Sequence, residues 1–145
     1  CIRDRCCANT ATRPEQRELT TALMSAVGDV AWVEDEALMN AVTAVSGSGP
    51  AYVFHLAECL ADAGIAAGLE QDLAMQLARS TVAGAGALLA QSELSAEQLR
   101  QNVTSPGGTT AAALDELMED FAMKRLFERA VAAAKARGEA LAGKS

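Results

Sequence analysis

The segment 83–87 alternates alanine with glycine in the middle of the apolar stretch 72–91, and it constrains the fold more than any other part of the chain. The stretch has the apolar spacing of a helix, yet each glycine inside a helix costs about 1 kcal/mol relative to alanine. Gly84 and Gly86 therefore indicate that another backbone approaches this helix closely. A helix from a second copy of the chain is the first candidate.

The composition favours helices over a sheet. Half of the 145 residues are hydrophobic but only 3% are aromatic, so alanine and leucine supply most of the apolar surface. Runs of valine, isoleucine and aromatic residues, which are typical of strands, are almost absent. We therefore predict an all-α fold, a helical bundle of about five to six helices, preceded by one further helix and a short strand.

Caps and apolar spacing predict the individual elements. A capping box at 12–15 begins a first helix to about Val27, with Leu19, Leu23 and Val27 on one face, and a lone strand follows at 30–33. The predicted bundle helices are 36–45, 50–67, 72–91, 95–101, 110–119 and 122–142. Helices this apolar have more surface to bury than one subunit can conceal, so we expect a homodimer, with further assembly of dimers open.

The net charge of −7, from 19 acidic and 12 basic residues, argues against nucleic acid and against an anionic membrane surface as partners. The longest charge-free stretch, 37–57, is interrupted by Ser-Gly-Ser-Gly-Pro, so we expect no membrane-spanning segment. Features of a signal peptide are missing as well. We expect a cytoplasmic protein.

Four cysteines lie at positions 1, 6, 7 and 59, and His55 is the single histidine. This spacing does not make a zinc site, so we expect no bound metal and free thiols, with Cys59 as a small apolar filler on a helix. In the predicted helix 50–67, His55, Glu58 and Asp62 form a narrow polar stripe. We interpret His55 as an exposed or hydrogen-bonded helix residue and not as a catalyst.

The string 103–114 places two glycines and several hydroxyls directly before an alanine-rich helix. The first N–H groups of a helix have no partner within it and carry the positive end of its dipole, so they favour a small anion. Gly107 and Gly108 allow close approach of the backbone, and Ser105, Thr109 and Thr110 add short donors. The alternative is that Thr109 or Thr110 merely caps a helix after a Pro-Gly turn.

Together with Ser-Gly-Ser-Gly-Pro-Ala-Tyr at 46–52, this string resembles the two signature segments of the pyrroline-5-carboxylate reductase family. The resemblance runs from about Arg13 to Ala142, through Ala-Trp-Val-Glu-Asp-Glu at 31–36 and Asp-Glu-Leu at 115–117. It implies that residues 1–35 are a remnant of a dinucleotide-binding Rossmann domain, with its last helix and strand after a poorly ordered start. Residues 36–145 would then form the helical dimerisation and substrate-binding domain.

The resemblance also implies a chemistry. Family members reduce 1-pyrroline-5-carboxylate to L-proline by hydride transfer from NADPH or NADH. The substrate carboxylate would sit on the amides of Gly107, Gly108 and Thr109, and the catalytic Thr110 hydroxyl would reach the ring nitrogen. The remaining implied site residues are Glu36 and Glu93 near the ring, Val103 and Ser105 lining the pocket, and Asn102 against the cofactor.

A cofactor loop of the form G-x-G-x-x-G is not evident. Only Gly47-Ser48-Gly49 comes near, but Tyr52 replaces the third glycine, and we interpret Gly49-Pro50 as a helix start. We therefore expect the chain alone to bind NADPH hardly at all, to be inactive, and to keep weak affinity for proline. Two alternatives remain: a catalytically silent helical oligomerisation module, and the helical half of another two-domain NAD(P)-dependent reductase.

Overall fold

A computed structural model of the protein describes residues 3–143, and these residues are largely helical, as predicted. Within this range there are two strands and seven α-helices. The strands are β1 (Arg3–Cys7) and β2 (Asp29–Val33), and the helices are α1 (Pro14–Ser25), α2 (Met39–Val42), α3 (Gly49–Ala66), α4 (Gln71–Gln91), α5 (Ala96–Asn102), α6 (Thr109–Met118) and α7 (Ala122–Ala142).

Short irregular turns complete the helical segments. A 3₁₀ turn at Glu36–Leu38 leads into α2, a wider π-helical turn at Thr43–Gly47 follows it, and a second 3₁₀ turn at Glu119–Phe121 joins α6 to α7. The predicted helix 36–45 is therefore helical over its length but not a regular α-helix. The prediction that Gly49-Pro50 begins a helix is confirmed.

The described residues form two compact units. The first unit contains residues 3–49 and 128–143, which include both strands, α1, α2 and the C-terminal part of α7. The second unit contains residues 50–127, which include α3 to α6 and the start of α7.

In the first unit, β1 and β2 pair in parallel, with Arg5 opposite Ala31 and Cys7 opposite Val33. The expectation of a lone strand at 30–33 is therefore wrong. The sequence of β1, Arg-Asp-Arg-Cys-Cys, has little strand propensity. Pairing with a distant strand satisfies its backbone instead, and local sequence does not reveal such pairing. Cys1 and Ile2 lie outside the described residues.

Helix α1 begins one residue later than the predicted capping box requires. Pro14 occupies its first position and holds Arg13 in an extended conformation, because the residue before proline is excluded from helical angles. The Arg13 N–H then donates to Gln16 Oε1 at 2.9 Å. The hydroxyl of Thr12, the predicted cap, donates to Asn9 Oδ1 at 2.9 Å instead.

One face of α1 is joined to β2 by polar contacts. Arg17 Nη2 donates to Glu34 Oε1 at 2.6 Å, and its guanidinium lies 4.5 Å from the ring centroid of Trp32. The Trp32 indole N–H donates to Thr21 Oγ1 at 2.9 Å. The predicted apolar face is on a different side of the helix: Leu19 and Leu23 are 60% and 64% exposed. The face of α1 that packs against β2 is therefore the one that carries Arg17 and Thr21, because the Trp32 indole needs a hydrogen-bond acceptor and attracts the guanidinium.

Close packing in the first unit also involves α2 and α7. A Cβ atom placed on Gly138 would lie 2.7 Å from Asn40 Oδ1 and 3.6 Å from Asn40 Cβ. Ala44, in the π-helical turn, is fully buried. A side chain at position 138 of α7 would therefore require the Asn40 amide to move.

In the second unit, α3 and α4 are joined by a tight turn, next to which small residues of the two helices meet. Gly68 ends α3 with a φ of +101°, and the Leu69 N–H donates to the Gly64 carbonyl at 3.0 Å, which is the pattern of a Schellman cap. A Cβ on Gly64 would lie 3.3 Å from Ala74 Cβ, and Ala61, Ala74 and Ala78 are buried. Helices that meet through alanine and glycine approach closely but bury little apolar area.

No large apolar side chain among residues 3–143 is fully buried, since the buried core consists of alanines. Large apolar residues of the second unit are at least 37% exposed at the following positions: Val53, Phe54, Leu56, Leu60, Ile65, Leu69, Leu73, Met75, Leu77, Leu88, Leu89, Leu94, Val103, Leu117, Met118, Phe121, Met123, Leu126 and Phe127. These side chains need cover that their own unit does not provide.

Within the described range, α4 is the one helix long and apolar enough to cross a membrane, as judged by length and composition alone. A single such helix is weak evidence, because the core helix of a soluble protein passes the same test. The expectation of no membrane-spanning segment rests on the charge-free stretch 37–57. Helix α4 lies outside that stretch and carries two charged residues, Asp72 and Arg79. Only 11% of its apolar window is buried, so α4 has apolar surface that must be covered.

Replacing Gly138 by alanine is predicted to destabilise the protein, and removal of Asn40 should reverse the effect. Alanine improves helix propensity by about 1 kcal/mol, whereas overpacking against a short side chain costs about 1–3 kcal/mol. Gly138→Ala should therefore lower the free energy of unfolding in urea, and in an Asn40→Ala background it should raise it. Additive effects of the two substitutions would contradict this packing.

The Arg17–Glu34 ion pair predicts a pH-dependent contribution to stability. The Arg17 guanidinium donates to the Glu34 carboxylate and attracts its charge, and this lowers the pKa of Glu34 below its usual value. A carboxyl with a lower pKa in the folded state stabilises the fold above its unfolded pKa, and the contribution is lost as the pH falls through the folded pKa. At low salt, the melting temperature of the wild type should therefore fall more steeply on acidification than that of Glu34→Gln.

The matched control is Glu18→Gln, which removes an exposed α1 carboxylate that has no ion pair among the described residues. Its melting temperature should follow the wild-type pH dependence. Equal slopes for Glu34→Gln and the wild type would show that the ion pair is fully screened by solvent.

Candidate functional site

The candidate site lies at the turn that precedes α6. The Gly108 N–H donates to the Ser105 carbonyl at 3.0 Å, with Pro106 and Gly107 between them. Gly107 has a φ of +69°, and proline followed by a residue with positive φ is the signature of a type II turn. A Cβ on Gly108 would lie 3.1 Å from the Ser105 carbonyl oxygen. A side chain would therefore be strained at Gly107 by the backbone angle and crowded at Gly108 by the Ser105 carbonyl.

The turn delivers free amides to the start of α6. The first bond of the helix runs from the Ala112 N–H to the Gly108 carbonyl at 3.2 Å. Over residues 3–143, the N–H groups of Thr109, Thr110 and Ala111 have no acceptor. They point along the positive end of the helix dipole, which makes them a set of three donors for an anion.

The structure shifts these donors along the chain relative to the sequence expectation. The Gly108 N–H is already used inside the turn, so it is not free for a ligand. The free donors are centred on Thr110, and they include Ala111, which sequence reasoning missed. Alanine has no polar side chain to draw attention to it, and the available signal is its place in the first turn of the helix.

The alternative that Thr109 or Thr110 merely caps the helix is wrong. Gly108 is the N-cap residue, in an extended conformation, and no side chain caps α6. Thr109 and Thr110 are the first two residues of the helix, and both are exposed. Their hydroxyls are therefore available to a ligand at this end of α6.

Further predicted site residues belong to the segment leading into the turn. Asn102 is the last residue of α5, and its Oδ1 accepts from Gln98 Nε2 at 3.2 Å, which leaves its amide N–H groups as donors. Val103 is 62% exposed, and Ser105 is exposed at the first position of the turn. The Thr104 hydroxyl donates to the Arg100 carbonyl at 2.6 Å and so closes the end of α5.

The two predicted acidic residues are in different units. Glu93 is exposed in the link between α4 and α5, within the same unit as the turn. Glu36 is the first residue of the 3₁₀ turn in the other unit, which Asp35 caps by accepting from the Ala37 N–H at 2.9 Å. The second unit thus contains every predicted site residue except Glu36.

Neither a metal site nor a dinucleotide loop is formed by residues 3–143. No group of three or more histidine, cysteine or acidic side chains among them could hold a metal ion. Gly47 ends the π-helical turn and Gly49 begins α3, so Gly-Ser-Gly does not join a strand to a helix. The first unit has an open hollow of about 400 Å³ with mostly apolar walls, lined by Arg5, Val33, Leu38, Ala41, Val42, Val45 and Ser46.

The chain is similar to known proteins over most of its length. Residues 36–141 match the family model described as pyrroline-5-carboxylate reductase dimerisation. The pyrroline-5-carboxylate reductase of Mycobacterium leprae is 47% identical, over 88% of this chain and 48% of the relative. That of Pseudomonas aeruginosa is 43% identical, over 93% of this chain and 49% of the relative.

Solved structures agree. A pyrroline-5-carboxylate reductase from Coxiella burnetii matches with a TM-score of 0.88 and 40% identity, over 96% of this chain and 51% of that chain. The crystal structure of Plasmodium falciparum pyrroline carboxylate reductase with NADP bound matches with a TM-score of 0.78 and 31% identity, over 95% and 52%. The chain thus spans about half the length of the curated relatives it matches. By its family-model match and these identities, the chain belongs to the pyrroline-5-carboxylate reductase family.

Proposed function

We propose that this chain is the dimerising and substrate-binding half of a pyrroline-5-carboxylate reductase, which reduces 1-pyrroline-5-carboxylate to L-proline with a hydride from NADPH or NADH. The relatives that share 43% to 47% of its residues carry that name. The observation that carries the proposal in this chain is the set of three free amides at the start of α6, beside two exposed threonine hydroxyls.

In this proposal the amides of Thr109, Thr110 and Ala111 bind the substrate carboxylate. Hydrogen bonds to a charged group contribute about 1.5–3 kcal/mol, and the helix dipole adds about 0.3–1 kcal/mol. Val103 and Ser105 line the same pocket. The site fixes one end of a small, flat molecule and leaves the ring free to be oriented by other groups.

Thr110 has a second role in the proposal, because its hydroxyl is at the same helix end as the amides. It accepts a hydrogen bond from the protonated ring nitrogen, and a protonated imine takes up hydride more readily at carbon. Glu93, in the same unit, and Glu36 are proposed to lie near the ring and to stabilise the same positive charge. Thr110 is the one of these residues that we propose to be catalytic.

The cofactor is proposed to be bound mainly outside this chain. When bound, reduced nicotinamide supplies the hydride, and the Plasmodium falciparum relative was solved with NADP. No loop formed by residues 3–143 suits a dinucleotide pyrophosphate, so the proposal gives this chain one cofactor contact, the free amide N–H groups of Asn102. The choice between NADPH and NADH then belongs to a dinucleotide-binding domain, of which residues 1–35 are proposed to be the last part. The cytoplasm is the proposed compartment.

We propose a homodimer in which a partner covers the apolar surface of the second unit, with larger assemblies of dimers also proposed. The support is that, among the residues that the structure describes, only alanines are buried, while leucines and phenylalanines along α3, α4 and α7 are exposed. A Cβ atom built on Gly84 or Gly86 would have no neighbouring heavy atom of the described residues within 4 Å. These positions have free space in one chain, as expected for a face on which a partner helix packs closely.

Replacing Gly84 by leucine is predicted to weaken the dimer. In a single chain the new side chain extends into free space, so α3–α4 helicity should be kept, whereas a closely packed partner helix should be displaced. Light scattering coupled to size-exclusion chromatography at micromolar concentration should show a dimer for the wild type and a shift towards monomer for Gly84→Leu. The matched control is Ala140→Leu, at an exposed position of α7. A monomeric wild type would contradict the proposed dimer.

Removal of the Thr110 hydroxyl is predicted to lower kcat/KM by about tenfold to a thousandfold, the range for one oriented hydrogen bond in a transition state. The enzyme for this test joins the N-terminal half of the Mycobacterium leprae relative to this chain. Thr110→Ser should keep most of the activity, because serine keeps the hydroxyl. The control is Thr20→Ala, whose hydroxyl bonds the carbonyl of Gln16 in α1. Unchanged kinetics for Thr110→Ala would remove Thr110 from the mechanism.

A further inference from the structure

Three side chains of α3 form a connected cluster on its exposed surface. Glu58 Oε2 lies 3.0 Å from His55 Nδ1, and Cys59 Sγ lies 3.6 Å from His55 Nε2. The side chains of His55 and Glu58 are 75% and 65% exposed, and Cys59 is exposed as well. The prediction that His55 is an exposed, hydrogen-bonded residue is confirmed, whereas the prediction that Cys59 fills an apolar gap is wrong.

Helix geometry explains why the three groups meet. Residues three and four positions apart lie on the same side of a helix, so Glu58 and Cys59 both lie next to His55. The stripe that they occupy is polar along the helix, and Asp62 continues it one turn further. This stripe differs from the apolar positions of α3, which are the ones that the proposed dimer would cover.

The contacts fix the hydrogen on the imidazole ring. An ionised carboxylate only accepts hydrogen bonds, so Nδ1 must carry the hydrogen that is donated to Glu58. In the neutral ring Nε2 then has the lone pair, and it faces the Cys59 thiol within the range of a hydrogen bond to sulfur. In this neutral tautomer the thiol is the donor and the imidazole the acceptor, which is the arrangement of a nucleophile next to its base.

We propose that Cys59 is a reactive thiol that forms mixed disulfides with small, water-soluble disulfides, with His55 as the base and Glu58 as a positioning residue. His55 Nε2 takes the proton from Sγ, and the thiolate attacks one sulfur of the disulfide R–S–S–R. A bond forms between Cys59 Sγ and that sulfur as the original S–S bond breaks. The leaving thiolate RS⁻ receives the proton from His55, so the products are Cys59–S–S–R and RSH, with no net oxidation.

The other described cysteines provide an internal comparison. Cys6 and Cys7 lie in β1 and are half-buried, and the thiol of Cys7 donates to the Ala8 carbonyl at 3.9 Å. Neither is in contact with an imidazole, since His55 is the single histidine of the chain. If the imidazole has no effect on the thiol, Cys59 has no chemical advantage over Cys6 and Cys7 in thiol exchange.

The test measures thiol exchange with dithiodipyridine, a neutral disulfide, by the absorbance of the released thiopyridone. Peptide mass spectrometry assigns the modified cysteine. Cys59 in the folded chain should react about tenfold faster than Cys6 or Cys7, which is less than an enclosed base supplies because the site is open to water. His55→Ala should remove this advantage.

Variants of Glu58 separate positioning from simple helix stability. Glu58→Ala should slow the reaction of Cys59, and Glu58→Gln should restore most of the rate, because its amide oxygen still accepts from Nδ1–H. Asp62→Asn is the matched control, since it removes a carboxylate from the next turn without any contact to the imidazole, and its rate should equal that of the wild type. Circular dichroism confirms that α3 is retained in each variant.

Three results would overturn the proposal. The first is a Cys59 rate equal to those of Cys6 and Cys7, and the second is a rate that His55→Ala leaves unchanged. The third is protection of Cys59 from the reagent in the folded protein, which would show that the polar stripe of α3 is covered. None of these results bears on Thr110 or on the reductase proposal, because α3 chemistry is measured without substrate or cofactor.

Discussion

The lack of cover for large apolar side chains is the constraint on which this structure depends. Within the described residues, helices meet through alanine and glycine, as at Gly64 and Ala74, and leucines and phenylalanines are left outside. Each large side chain that becomes fully buried contributes about 1.5–3 kcal/mol, so burial of roughly five of them would match the whole stability of a domain, about 5–15 kcal/mol. Folding and association of the proposed dimer are therefore coupled, and stability would depend on protein concentration.

The candidate site uses backbone geometry more than side-chain chemistry. A type II turn at Pro106-Gly107 stops α5 from continuing into α6, and it leaves three amides without partners at the end of a regular helix. The turn, Asn102 and Glu93 all belong to the second unit. In a site of this kind a side chain at Gly107 or Gly108 strains the turn that exposes the amides.

Local signals in the sequence predict most of the helices but fail wherever distant residues decide. Gly49-Pro50, Ser95 and the glycine-rich turn at 105–108 mark helix starts to within a residue or two, because caps and turns depend on neighbouring positions. The strand β1 was missed because its partner is distant in sequence and its own residues are poor strand formers. The packed face of α1 was misassigned because Trp32, from another element, selects Arg17 and Thr21. In the site, the Gly108 N–H donates to the Ser105 carbonyl across the turn, so the free amides are those of Thr109, Thr110 and Ala111. The sequence does not show this, because the bond depends on the geometry of the turn.

The close approach of Gly138 to Asn40 has a consequence for the order of folding during synthesis. These two residues are far apart in the chain but belong to one compact unit, so that unit cannot be completed until the last helix has left the ribosome. The segment between them contains α3 to α6, whose large apolar side chains are exposed. The two ends of the polypeptide must therefore both be synthesised before the first unit can close.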